Sequence, residues 1–316
     1  MATYKEIHGV KVQYRDSDAT AIEGDVWYNA GTGLLKMYQS SGSWASGGNL
    51  NAVKHGSAAA GIQNAALCIG ANLDAGPEDV VESYDGTSWT ETVDINTARG
   101  YFGGCGTTTA AICSGGYGTG YTGETEEFDG SSWTEVADIT ARESNVCGTA
   151  TAGLAAGGFN PGSGDDLAIV ESWNGTSWTE IADINTAGRG GGFSGTQTSA
   201  LLQGGVPRSA AVESWNGSAW TEVGDLNTGR TENVSGGESN AEAVTFGGAA
   251  TLAVTEQYDG TSWTEVADLS AGRRKPASQI GTREASVCAG GKGSGGNTNA
   301  TEEWTIAASA ETIAFD

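Results

Sequence analysis

The sequence predicts an all-β fold assembled from repeated four-stranded units. Three observations predict it: a phrase that recurs along the chain, a tryptophan spaced 42–45 residues from the next, and the same tight-turn dipeptide in each copy. The phrase is "EEFDGSSWTEVADITAR" at residues 126–142, and close variants begin at Glu82, Glu171, Glu213 and Glu256. Its tryptophans, with an earlier one, are Trp44, Trp89, Trp133, Trp178, Trp220 and Trp263. That period suits a four-stranded β-propeller blade. Helical repeats need apolar residues every three or four positions over long stretches, whereas these segments are short, β-branched and punctuated by glycine.

Four strands can be read in the second repeat. The first covers residues 100–106 and turns at "GTTTAA"; "AAICSGG", "ETEEF" and "SWTEV" are the second, third and fourth. The first turn returns as "GTATAG" and "GTQTSA". Between strands three and four stand Asp85–Gly86, Asp129–Gly130, Asn174–Gly175, Asn216–Gly217 and Asp259–Gly260, pairs that tolerate the positive φ of a two-residue hairpin. Glycine pairs after strand two, such as Gly115–Gly116 and Gly204–Gly205, suit close backbone approach.

These residues carry a resemblance. A glycine doublet, an aromatic, a Trp about six residues on and a closing Arg is similar to the kelch repeat, over roughly residues 35–304. The resemblance implies a kelch-like β-propeller and leaves function open, because propellers host unrelated activities. Third strands occur six times, ending in Tyr84, Phe128, Trp173, Trp215, Tyr258 and Trp304, each two residues after a Glu. Fourth-strand tryptophans number six only with Trp44, which arrives without three strands before it, while the last repeat stops after its third strand. An N-terminal strand around "SGSWASGGNLN" is therefore expected to complete the final blade and close a six-bladed ring. Seven blades follow if residues 38–44 form their own hairpin, a reading weakened by Lys36 in place of the recurrent Glu.

Composition narrows function. Fifteen Lys+Arg against 39 Asp+Glu leave a net charge of −24, which disfavours nucleic acid and anionic membrane surfaces. No basic-then-apolar leader and no run of 18 apolar residues appears, so a soluble chain made in a reducing cytosol, without membrane insertion, is expected. The five cysteines fall at equivalent repeat positions, kept apart by sheet packing, and read as buried free thiols rather than disulfides or metal ligands.

Each repeat closes with an Asp and then Arg99, Arg142, Arg189, Arg230 or Arg273. A ring of anion-binding arginines is one reading; the structural one has each Arg bridge blades and satisfy loop carbonyls or acids. The recurrent glutamates read as solvated or cross-strand partners. A copper centre like that of galactose oxidase-like enzymes needs histidines, and the chain has only His8 and His55. The sialidase turn lacks a residue between its Asp and Gly here. No catalytic, metal or cofactor site is expected, and the chain reads as no enzyme. What varies between repeats is the loop between strands two and three, and Tyr117, Tyr121, Phe159, Asn160 and Arg208 are its candidate contact residues.

Residues 1 to about 34 stand outside the repeat. "EGDVWYN", "TGLLKMY" and "GSW" resemble the leader of structural proteins of tailed bacteriophages, particularly marine ones. The resemblance implies a virion component of tail-fibre, tail-tip or capsid-surface type. It would be made in the host cytoplasm, attached to other virion proteins through residues 1–34, oligomeric, and directed through residues 35–316 at host-surface glycan or protein. A propeller that binds other virion proteins alone, or a carbohydrate-active propeller, are the alternatives.

Overall fold

The computed structural model describes residues 13–17, 25–74, 76–207 and 209–313, and among them there is no helix. The chain divides into two compact units, Met1–Ser43 with Thr305–Asp316, and Trp44–Trp304.

Five antiparallel four-stranded sheets follow one another in the larger unit. The second repeat forms Gly103–Thr107, Ala110–Ser114, Thr125–Phe128 and Trp133–Val136, nearly as its sequence predicts. Its first strand starts three residues later than expected because Gly100 pairs instead with Tyr117 in an isolated bridge. A further sheet runs from Ala285–Ala289 through Thr301–Thr312 to Leu34–Ser46. Residues 277–282 run beside Ala285–Ala289, with hydrogen bonds from Thr282 N to Ala285 O (2.9 Å) and from Ala277 N to Ala289 O (2.9 Å). The whole is consistent with a propeller.

Local chemistry explains the turns. In "GTTTAA", Gly106 has φ 116°, and a Cβ there would stand 2.3 Å from Ala110 O across the hairpin. The equivalent Gly61, Gly148, Gly195 and Gly281 meet the same obstacle at 2.1–2.4 Å, so the position excludes every other residue. In the next hairpin, Asp129 Oδ1 accepts from the N–H groups of Ser131 and Ser132, both at 2.8 Å, which pins the turn.

Tryptophans fasten sheet to sheet. The third-strand aromatic packs on the fourth-strand Trp at ring separations of 4.8–5.3 Å in five sheets. Indole N–H groups then reach the sheet before, Trp133 to Val93 O (3.0 Å), Trp178 to Thr125 Oγ1 (3.2 Å) and Trp220 to Ala182 O (3.1 Å), whereas the buried Trp263 N–H meets no acceptor. Trp44 reaches Thr255 Oγ1 and Trp89 reaches Thr301 Oγ1, both at 3.0 Å. The cysteines are free and buried among these layers, and burial pushes the Cys113 thiol up to about 11 and Cys288 to about 12.

The recurrent glutamates are not solvated. Glu82, Glu126, Glu171, Glu213, Glu256 and Glu302 are 0–4% exposed. Each carboxylate accepts backbone N–H groups from the loop that arrives from the preceding sheet: Asn51, Asn96, Asn185 and Asn227 N at 2.7 Å, Ser270 N at 2.8 Å and Thr140 N at 3.0 Å. Four carry a buried cation as well: Lys54 on Glu82 (3.1 Å), Arg99 on Glu126 (2.7 Å), Arg230 on Glu256 and Arg273 on Glu302.

The five closing arginines are therefore not one set. "DITAR" is a residue shorter than "DINTAR" and "DINTAGR" a residue longer, so Arg142 and Arg189 fall out of register. Arg142 turns back to Ile139 O (2.5 Å) and Thr140 O (2.8 Å), and Gly188 stands where Arg99 would.

In the smaller unit, Gln13–Arg15 pairs in parallel with Val26–Asn29, which pairs antiparallel with residues 34–37. Trp27 is fully buried, with the Arg15 guanidinium 5.3 Å from its ring centroid and 2.6 Å from Asp25.

The register difference predicts unequal costs of one substitution. Glu126→Gln removes the nearer carboxylate from the buried Arg99, leaving it Glu124 at 3.4 Å, and should lower stability by about 3–5 kcal/mol. Glu171→Gln, which leaves loop amides facing an amide oxygen, should cost about 1–2 kcal/mol. Urea unfolding of the two variants measures the difference, and equal losses would mean that the cation plays no part.

Candidate functional site

The second-to-third-strand loops lie beside the loops that arrive at the first strands. Isolated bridges join Gly100 to Tyr117, Arg142 to Phe159, Arg189 to Val206 and Arg274 to Lys292. Among the described residues between Trp44 and Trp304, every Lys and Arg except Arg283 belongs to one of these two loop sets, so they gather at one end of the sheets.

At that end, a cavity of about 280 Å³ is lined by the starts of six first strands. Its rim carries one residue from each arriving loop: Gly56, Tyr101, Glu143, Gly190, Glu232 and Lys275. All six have positive φ, between 48° and 72°. Four are not glycine and hold a conformation that costs about 1–2 kcal/mol each. Their main chains explain it. The turned backbone lets Gly56 N bond Lys275 O (2.8 Å), Tyr101 N bond Gly56 O (2.7 Å), Glu232 N bond Gly190 O (2.5 Å) and Lys275 N bond Glu232 O (2.9 Å). A run of backbone hydrogen bonds thus passes along the rim from loop to loop.

The rim charges are mutually engaged. Arg189 lies 3.5 Å from Glu143 and 3.2 Å from Asp166, while Glu232 takes Arg274 (3.0 Å) and Lys275 (3.3 Å). Lys275 Nζ also sits 3.6 Å from the centre of the Tyr101 ring, and Tyr101 OH is 2.9 Å from His55 Nε2. Burial raises the Glu143 carboxyl pKa despite the cations, and it raises the Tyr101 hydroxyl, with Glu232 adding to the effect.

Of the residues expected to make contact, three come together. Tyr117 and Tyr121, 37% and 38% exposed, meet edge-on at 5.1 Å, and Tyr121 meets Phe159 at 5.2 Å. The Arg189 guanidinium lies 4.1 Å from the Phe159 ring centre. Tyr121 and Arg189 line the cavity, so this aromatic shelf borders it. Asn160 does not join them: its Oδ1 accepts from Gly162 N–H (2.9 Å) within its own turn. Arg208 lies outside the described residues. Sequence reasoning missed Tyr101, Glu143, Glu232 and Lys275. The signal was there, since the position one or two residues past each closing phrase varies between Tyr, Glu, Gly and Lys within a nearly constant frame. Among the described residues, no cluster of three or more His, Cys, Asp or Glu could hold a metal ion.

Burial and the nearby Lys292 and Lys275 lower the His55 pKa from 6.5 to about 4. The unfolded chain therefore takes up this proton first, so the His55 contribution is complete above pH 6.5 and is lost as pH falls toward 4. Discounted for solvent screening, the loss should be about 2 kcal/mol. Melting His55→Gln beside the parent chain should show a smaller acid-induced decline from pH 6.5 to 4; parallel curves would refute the assignment.

No family model matches the chain, and no curated protein matches it. Among solved structures the chain is similar to that of YjhT, with a TM-score of 0.67 and 11% identity over 84% of this chain and 99% of that one. At that identity the likeness is one of fold alone, and the fold is β-propeller-like.

Proposed function

We propose that the chain is a non-enzymatic recognition protein of a bacteriophage particle. Residues 44–304 would form a six-bladed, kelch-type ring that binds host-surface glycan, and the N-terminal segment would hold it on other virion proteins, as one of several copies. The aromatic shelf of Tyr117, Tyr121 and Phe159 beside a polar cavity carries the recognition part. Exposed, mutually packed aromatic rings next to hydrogen-bonding groups are the surface a sugar face requires. Engagement of Glu143 and Glu232 with cations, and of His55 with Tyr101, favours binding over acid–base chemistry. The place on a particle rests on the "EGDVWYN" and "TGLLKMY" leader.

Ring closure is supported by contacts from the last sheet to the first. Ser278 N bonds Ser57 O (3.1 Å), Gly281 N bonds Gly61 O (3.1 Å), and Trp89 reaches Thr301. The rim bond from Gly56 to Lys275 and the Trp44–Thr255 bond support the same reading, in which Trp44 supplies the last blade's fourth strand.

Two measurements test this function. Deleting residues 1–50 should leave an open edge and abolish cooperative melting, and a truncated chain that melts like the parent would refute closure. Grafting the short "VPRSAA" loop in place of "YGTGYTG" and "FNPGSGDD" should abolish adsorption to the cells the particle infects, with folding and assembly intact. Loss of assembly instead would assign the loops to a virion partner; unchanged adsorption, or cleavage of a host glycan by the parent chain, would overturn the reading.

A further inference from the structure

We infer that Asn174 and Asn216 are self-modification sites, at which a hairpin converts its own asparagine to an acidic residue through a cyclic imide and releases ammonia. The inference stands apart from the recognition reading above. Both residues lie in turns between third and fourth strands, at the other end of their sheets from the cavity.

The chain carries this turn five times, with Asp85, Asp129 and Asp259 in three copies and Asn174 and Asn216 in two, each followed by Gly. No other Asn-Gly pair occurs in the sequence. Closing the imide requires the next backbone nitrogen to reach the side-chain carbonyl carbon, and a glycine there has no Cβ to obstruct the approach. Among the described residues, no acceptor takes the N–H of Gly175 or Gly217. Asn174 and Asn216 are exposed, so solvent can remove the proton that this nitrogen must lose.

The side-chain oxygen supplies the stronger observation. Attack turns Oδ1 into an oxyanion, and the turn already aims donors at it. Thr176 N and Ser177 N bond Asn174 Oδ1, and Ser218 N and Ala219 N bond Asn216 Oδ1, all at 2.9 Å. Donors fixed in advance hold an oxyanion more tightly than a neutral amide oxygen, so they lower the barrier. Ser218 Oγ adds a third donor to Asn216 at 2.8 Å, whereas the Thr176 hydroxyl makes no such bond to Asn174. The aspartate copies divide in the same way: Ser131 Oγ reaches Asp129 Oδ1 at 2.7 Å, while Thr87 and Thr261 offer only their N–H groups. In the reaction, the glycine nitrogen bonds Cγ with its own electron pair. The Cγ–Nδ2 bond breaks, and Nδ2 leaves with a proton as ammonia. One water then opens the imide, leaving aspartate or isoaspartate and one new negative charge. The aspartate turns resist this closure because an ionised carboxylate is a poor electrophile. The Ser131 hydroxyl and turn amides lower Asp129 to about 2, and backbone N–H groups lower Asp85 and Asp259.

The experiment incubates the purified full-length chain at mildly alkaline pH, folded and unfolded in urea, and follows amide-to-acid conversion at every asparagine by peptide mass spectrometry. Positions 174 and 216 are expected to convert before the others, and each faster in the folded chain than in the unfolded one. Ser218→Ala should slow conversion at 216 about two- to tenfold and leave 174 unchanged. Thr176→Ser, which supplies the missing hydroxyl, should speed 174 by a similar factor. Both changes fall on exposed side chains, and an unaltered melting temperature checks that each variant keeps the fold. Slower conversion in the folded chain would mean that the turn protects these amides, and it would overturn the inference. Rates equal to the parent's in both variants would do the same, because the donors would then play no part in the reaction.

Discussion

A buried carboxylate on the third strand of each sheet, holding the N–H groups of the loop that arrives from the sheet before, is the constraint on which the rest depends. Such loops carry backbone donors with no strand beside them, and an unmet donor inside the protein costs about 1–3 kcal/mol. One ionised side chain answers two or three donors: Glu126 takes the Asn96 backbone N–H, the Asn96 side-chain amide (both at 2.7 Å) and the Thr97 N–H (3.4 Å). The charge this places inside is answered in turn by Arg99, Arg230, Arg273 or Lys54. Where the loop length moves the arginine out of reach, as at Glu171, the backbone donors of Thr140 and Ala141 hold alone. The loops so fixed are the ones that present the rim of the cavity.

Much of this was legible in the sequence because repetition turns weak local signals into strong ones. One Asp-Gly or Asn-Gly pair is a hint; five, each the same distance before a Trp, define hairpins and hence strands. The strands of the second repeat came out within three residues of their expected bounds. What repetition hid was register. Alignment by eye placed all five closing arginines together, whereas a single inserted or missing residue sends Arg189 to the rim and Arg142 back onto its own loop. The glutamates were misjudged for a related reason. A Glu two before an aromatic on a strand looks solvent-facing when its partner is a loop some 30 residues earlier, as Asn51 is for Glu82.

The candidate site was half legible. Tyr117, Tyr121 and Phe159 could be singled out because they sit in loops that differ from copy to copy. That they would meet in one shelf, propped by Arg189, depends on two loops curling toward each other, which pattern alone does not give. The cavity floor was illegible altogether. Ser235 and Asn233 lie at the start of a first strand, where small and polar residues pass for turn chemistry, and they border a shared space only once six strand starts face it.

The rim is joined by main-chain atoms, and this separates two things that most binding sites confuse. Because the bonds from Gly56 to Lys275 and from Glu232 to Gly190 use no side chain, the mouth keeps its shape whatever side chain each position bears, provided the left-handed turn is tolerated. Tyr101, Glu232 and Lys275 keep these backbone bonds whatever side chain they bear, so a substitution there costs a charge or ring contact across the rim and leaves the frame standing. A molecule built so can drift from one ligand to another through single substitutions, every intermediate folded, which is the property an evolving recognition surface needs most.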